Sequence, residues 1–126
     1  MGNPTVTPLY EQLHDGGFVV SEANGHISRD TVTLTGAVKL LAGTVLGKIT
    51  ASGKYVILAP GASDGSQLAA AILWGARDVT TADKQGVVMA RMCEVNASEL
   101  IWPAGITGPQ TIAATTQLAA QTIILR

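Results

Sequence analysis

From Arg29 onward the chain consists of short runs rich in β-branched and apolar residues, at 31–35, 44–50, 55–59, 68–74 and 87–95. Between them lie Ala51-Ser52-Gly53, the stretch 60–65 and the stretch 80–86, all rich in residues that favour turns. Runs of this length cannot bury an apolar face alone and have to pair with one another, so they predict a small β-rich body. One segment breaks the pattern. Thr107 or Gly108 can cap a helix, Pro109 stands at its first position, and 110–121 are residues a helix accepts. Ala114 and Leu118 then share a narrow apolar stripe that packs on the sheet before 122–125 returns as a last β segment. The predicted fold class is mainly β with one short C-terminal helix.

Residues 1–28 read differently. Gly, Pro and Asn alternate with short apolar patches, and no helical period lasts beyond a turn. Pro4 and Pro8 bias Asn3 and Thr7 toward extended backbone. The division expected is a flexible or extended N-terminal arm over 1–28 and a single β-rich domain over 29–126. Charge follows the same division: residues 1–30 hold Glu11, Asp15, Glu22 and Asp30 against Arg29 alone, while the remainder is slightly basic.

Charged residues make up only 13% of the chain against 47% apolar, where soluble domains usually carry about a quarter charged. A lone monomer of this composition exposes apolar patches, so burial in a homo-oligomer or on a larger assembly is expected. With a net charge of −1 and no basic run, the electrostatic footprint of a nucleic-acid binder is missing. The longest apolar run is far below the roughly 20 residues of a membrane helix, and the start lacks a basic and apolar leader. A soluble protein that binds neither nucleic acid nor membrane is therefore expected. The single cysteine, Cys93, excludes an intramolecular disulfide framework and fits a reducing compartment.

Catalytic motifs appear only in fragments. Gly61-Ala62-Ser63-Asp64-Gly65 matches the nucleophile-elbow spacing, but that elbow needs a strand-turn-helix setting and a later histidine, whereas His14 and His26 both come earlier. Gly43-Thr44-Val45-Leu46-Gly47-Lys48-Ile49 has its glycines one residue too close for a phosphate loop, and Ile49 replaces the hydroxyl that would hold magnesium. Asp83-Lys84 between two expected strands has the look of the modified lysine of lipoyl carrier domains. A carrier modified at Lys84 is thus one alternative, and a small hydrolase using Ser63 another. Neither histidine has cysteine or carboxylate neighbours at zinc-ligand spacing, so no metal, cofactor or catalytic residue is assigned. Trp74 and Trp102, beside Gly75 and Pro103, read as anchors of a core or of an interface.

Several runs together resemble the lambda-type head decoration proteins of tailed bacteriophages. They are Gly17-Phe18-Val19-Val20-Ser21-Glu22, Ser28-Arg29-Asp30, Leu41-Ala42-Gly43-Thr44-Val45-Leu46-Gly47-Lys48, Tyr55 with Asp64-Gly65-Ser66-Gln67, and Trp102-Pro103-Ala104-Gly105. Their order and spacing carry the likeness, which covers about 16–126. The resemblance implies a small β body of the β-clip or prong type, no enzymatic activity and no cofactor. It also implies homotrimers on the outer surface of the expanded capsid at three-fold and quasi-three-fold positions, bound to the major capsid protein and stabilising the shell against packaged DNA. The virion would be its location, after assembly in the bacterial host cytoplasm. With the arm at the shell, the candidate capsid-binding residues are Thr5, Val6, Thr7, Leu9, Tyr10, Phe18 and Val19, and the core or trimer anchors are Trp74, Trp102 and Pro103. Another phage structural trimer, such as a tail-spike cap, is a further alternative.

Overall fold

The computed structural model describes residues 14–126. Ten short strands and one helix follow in the order β1 (Val19–Glu22), β2 (Arg29–Leu34), β3 (Lys39–Leu40), β4 (Val45–Lys48), β5 (Tyr55–Ile57), β6 (Ala69–Leu73), β7 (Arg77–Asp78), β8 (Lys84–Met89), β9 (Cys93–Val95), α1 (Gly108–Ala120) and β10 (Ile123–Leu125), with a 3-10 turn at Ala97–Glu99. The fold is mainly β with a single C-terminal helix. Strands β2, β5, β4, β6 and β8 close into a small barrel; β1, β9 and β10 form a three-stranded sheet, and β3 pairs with β7 as a two-stranded ribbon.

The expected runs become strands with one division, trimmed in β4, β5 and β6 but reaching back to Arg29 in β2 and, into the expected turn 80–86, to Lys84 in β8. The run 87–95 is interrupted because Met92 takes a positive φ of 50°, a conformation unfavourable for a long side chain, so β8 ends and β9 starts in a new sheet. Residues 14–28 contain more structure than an arm. β1 pairs antiparallel with β9, Phe18 is 3% exposed in the core, and Ser28 is buried with its hydroxyl donating to the Met92 carbonyl at 2.9 Å. Body packing is therefore in place well before Arg29.

Two cores meet across the barrel wall. Leu34, Leu46, Leu73 and Val88 fill the barrel interior together with Leu40 and Val79 from the two-stranded ribbon and its flank. Val45, Ile72 and Met89, their neighbours on β4, β6 and β8, point outward into a second cluster with Phe18, Val95, Leu118 and Ile123. Alternating side chains on these three strands are thus buried on both faces, which is why the strands read as continuous apolar runs.

The helix closes the second cluster. Thr107 is its N-cap, with a reciprocal capping box: the Gln110 N–H donates to the Thr107 hydroxyl at 3.3 Å, and the Gln110 side chain accepts from the Thr107 N–H at 3.0 Å. Ala114 and Leu118 are its buried residues, as their spacing predicts. Because β10 runs parallel to β9, the chain needs a long crossover between them, which the 3-10 turn, the Trp102-Pro103 step and α1 supply. Trp102 is half-buried against the edge of this cluster.

These environments rank two substitutions. Leu118→Ala, at a fully buried site, should cost about 2–5 kcal/mol. Trp102→Ala, at a half-buried one, should fall below the roughly 3–5 kcal/mol usual for a core aromatic. Urea unfolding of both variants checks the order, and a larger loss at Trp102 would contradict the placement of the second cluster.

Candidate functional site

The N-terminal segment joins the body at Trp74. The Gly16 N–H donates to the Trp74 carbonyl at 2.8 Å, and Gly16 has a φ of +66°. A β-carbon here would sit 2.4 Å from the indole nitrogen, so only glycine lets the chain cross the ring edge. The Arg29 guanidinium lies 4.8 Å from the ring centroid and also pairs with Glu22 at 2.7 Å. Trp74 is in this way held by β1, β2 and the chain that precedes them, with about 0.5–1 kcal/mol expected from an exposed cation–π contact.

The candidate capsid-binding residues divide at this point. Thr5, Val6, Thr7, Leu9 and Tyr10 lie outside the described residues. Phe18 is a core side chain, 3% exposed, and Val19 is half-buried against the same cluster. Neither presents a free apolar surface. Trp74, Trp102 and Pro103 are all half-buried, the two tryptophans packing on the second cluster. The residues expected as anchors thus sit where the core reaches the surface.

What the sequence reading missed is the outer surface of the C-terminal third. Between Glu99 and Arg126 there is no Asp, Glu, Lys, Arg or His. α1 nevertheless stands at the surface, with Ala113, Thr116, Ala119 and Ala120 exposed and Ile112 70% exposed, the most open large apolar side chain among the described residues. Beside it a groove of about 240 Å³ runs between the helix and the turn before β6, lined by Pro60, Leu68, Gln110, Ala113 and Gln117 among others. Leu68 is 52% exposed on that rim, and the Gln117 side chain closes the far end by accepting from the Ala69 N–H at 2.8 Å. The charge-free interval in the sequence was the signal available.

A second apolar group surrounds the outer end of the β1-β9-β10 sheet. Val20, Ile27 and Met92 are all more than half exposed. The middle of that sheet's outer face is polar: Glu94 accepts from Arg126 at 2.6 Å and from Ser21 at 3.1 Å. These bonds, Arg126 first, hold its carboxyl below the usual range.

The catalytic decoys fall apart in space. Ser63 is exposed in a turn between β5 and β6, not on a strand-to-helix elbow, and Asp64 next to it accepts from the Ser66 backbone and hydroxyl. Gly43 lies in the turn before β4 and Gly47 within β4, so no phosphate loop forms. Lys84 is the first residue of β8, paired with Leu34 on the adjacent β2, rather than at a hairpin tip. Among the described residues no group of three or more His, Cys, Asp and Glu is placed to hold a metal, and no helix is long and apolar enough to cross a membrane.

Among the described residues the chain is a small β-barrel body with paired surface charges and apolar margins. The sequence matches the family model described as bacteriophage lambda head decoration protein D over residues 8–123, and the chain belongs to that family. No curated protein sequence matches it closely enough to add a relative. Membership makes this a structural protein rather than an enzyme, a decorating and stabilising component of the phage capsid located on the virion surface.

Cys93 gives a direct check on the core that supports this surface. Burial, with a smaller contribution from the Glu22 charge, raises its thiol from 9.0 to about 11. Because the folded state keeps its proton longer, this residue's contribution to stability is fully present below pH 9 and is lost as pH rises toward 11. A thiol reagent at pH 8 should therefore modify native protein far more slowly than urea-unfolded protein. Equal rates would place Cys93 outside the core.

Proposed function

We propose that the protein decorates the head as a homotrimer at the three-fold and quasi-three-fold positions of the expanded shell. In this reading the body beginning near residue 14 packs against two copies of itself, and residues 1–13 form the attachment arm to the major capsid protein. The observation that carries the self-association is the charge-free surface of α1, where Ile112 stands 70% exposed beside the Leu68 rim. Patches that are apolar at the centre and depleted of charge are the cores of protein interfaces. Leaving such a surface in water on a capsid exterior would invite unspecific association; a closed symmetric assembly covers it.

The arm is argued from sequence. Pro4 and Pro8 favour extended backbone, and Val6 and Leu9 between polar neighbours suit a strand added to an exposed sheet edge of the shell protein. Residues 2–13 also carry too little apolar surface to offset an ordering cost of roughly 1–2 kcal/mol per residue without a partner. Three arms on one rigid trimer make the second and third attachments intramolecular, so weak single contacts add to a tight hold. Binding that favours the expanded shell stabilises that state by the difference in affinity between the two shell forms.

Two variants separate the parts. Ile112→Lys should shift the sedimenting species from trimer to monomer while leaving the circular dichroism spectrum unchanged. Deletion of residues 2–13 should leave melting and the trimer intact but abolish decoration of expanded heads. The cut stops at 13 because Asp15 and Gly16 already bond to the body, through the Ala76 N–H at 3.4 Å and the Trp74 carbonyl at 2.8 Å. A wild-type chain that remains monomeric both at high concentration and on heads would contradict the reading, as would tight decoration by the truncated chain.

A further inference from the structure

Three Asx-Gly pairs lie among the described residues: Asp15-Gly16, Asn24-Gly25 and Asp64-Gly65. Such a pair is chemically exposed when the glycine amide nitrogen is free to attack the preceding side-chain carbonyl carbon, because glycine offers no β-carbon to hinder the approach. In two of the pairs the nucleophile is engaged. Gly16 donates its N–H to the Trp74 carbonyl at 2.8 Å, and Gly65 donates to the Gln67 side chain at 2.8 Å. Their carboxylates are engaged as well, Asp15 with the Ala76 N–H and Asp64 with Ser66. The third pair is different. Asn24 and Gly25 are both exposed in the β1–β2 loop, neither the Asn24 amide nor the Gly25 N–H has a hydrogen-bond partner among the described residues, and apart from Gly25 and its two chain neighbours no described atom stands within 4 Å of the place a Gly25 β-carbon would occupy.

We propose that Asn24 is a site of spontaneous deamidation in the folded protein, converting with age to aspartate and isoaspartate. The Gly25 nitrogen forms a bond to Asn24 Cγ, the Cγ–Nδ2 bond breaks, and the amide nitrogen leaves as ammonia with the proton lost from Gly25. Water then adds to either carbonyl of the resulting imide and opens it. Opening at the side-chain carbonyl restores the ordinary backbone as aspartate; opening at the backbone carbonyl gives isoaspartate, which routes the main chain through an additional methylene. Water is the only co-reactant and ammonia the only other product.

The other asparagines provide an internal comparison. Asn96 caps the 3-10 turn, its side-chain oxygen accepting from the Ser98 N–H at 3.1 Å and the Ser98 hydroxyl at 2.8 Å, and the Ala97 N–H that would attack it donates to the Arg126 carbonyl at 3.1 Å. Asn3 precedes Pro4, whose nitrogen carries no proton. The charge produced matters because of where it falls. The loop carrying Asn24 also carries Ile27, adjoins Val20 on β1, and packs against Met92 through Ser28, so ageing places a carboxylate on the margin of the second apolar group, close to Glu22.

The test is incubation of the folded full-length protein at mildly alkaline pH, followed by peptide mapping with separation of aspartate from isoaspartate. Asn24 should accumulate acid severalfold faster than Asn96, with isoaspartate among the products, and the fraction should be the same whether or not the sample passes through a refolding cycle. Gly25→Ala, confirmed as folded by its circular dichroism spectrum, should slow the conversion severalfold. Retention of the Asn24 amide in native protein alongside rapid conversion in urea would overturn the proposal, because it would place the protection in the fold.

Discussion

The structure depends on a barrel wall that has to be apolar on both faces. On β4, β6 and β8 the residues Leu46, Leu73 and Val88 fill the barrel, while Val45, Ile72 and Met89 meet the helix and the three-stranded sheet outside it. A five-stranded barrel this small has little interior of its own, and packing on its outer side supplies the rest of the buried area. Close approach is part of the same constraint. Gly47 sits in β4 where a β-carbon would lie 2.3 Å from the Ser66 carbonyl oxygen, so the turn before β6 can fold against the wall only over a bare backbone.

Building two cores into one small domain uses up apolar residues and leaves few charges to distribute. Several of those present are paired near the strands: Glu22 with Arg29, Asp30 with Arg91, Lys54 with Asp83, and Glu94 with Arg126. Solvent-exposed pairs of this kind contribute little to folding. Their larger effect is on what they leave behind, a helix surface with no charge at all. In the proposed function that surface is the face through which the chain packs on copies of itself.

Much of the fold was legible in the sequence because its signals are local. The turn clusters separate the strands, and Thr107, Pro109 and the Ala114–Leu118 spacing define the helix and its buried side. What was not legible depended on long-range pairing. β1 reads as arm because Val19–Glu22 has no local partner; only β9, more than seventy residues later, gives it one. Phe18 looked like a contact residue for the same reason, since the core it enters is assembled from β4, β9 and α1. Met92 divides the last long run through a backbone angle that its residue type does not announce. The outer helix face escaped because an amphipathic pattern normally marks its exposed side with charge, and here Ile112 stands on it instead.

The proposed function makes this small barrel a trimeric clamp on an expanded phage shell. Its most direct test is an image reconstruction of undecorated expanded heads after addition of the purified protein. New density of three-fold symmetry is expected on the outer surface at three-fold and quasi-three-fold positions, with α1 surfaces facing one another and density leading from Gly16 into the shell. Heads without added density, or single copies bound away from those positions, would contradict it.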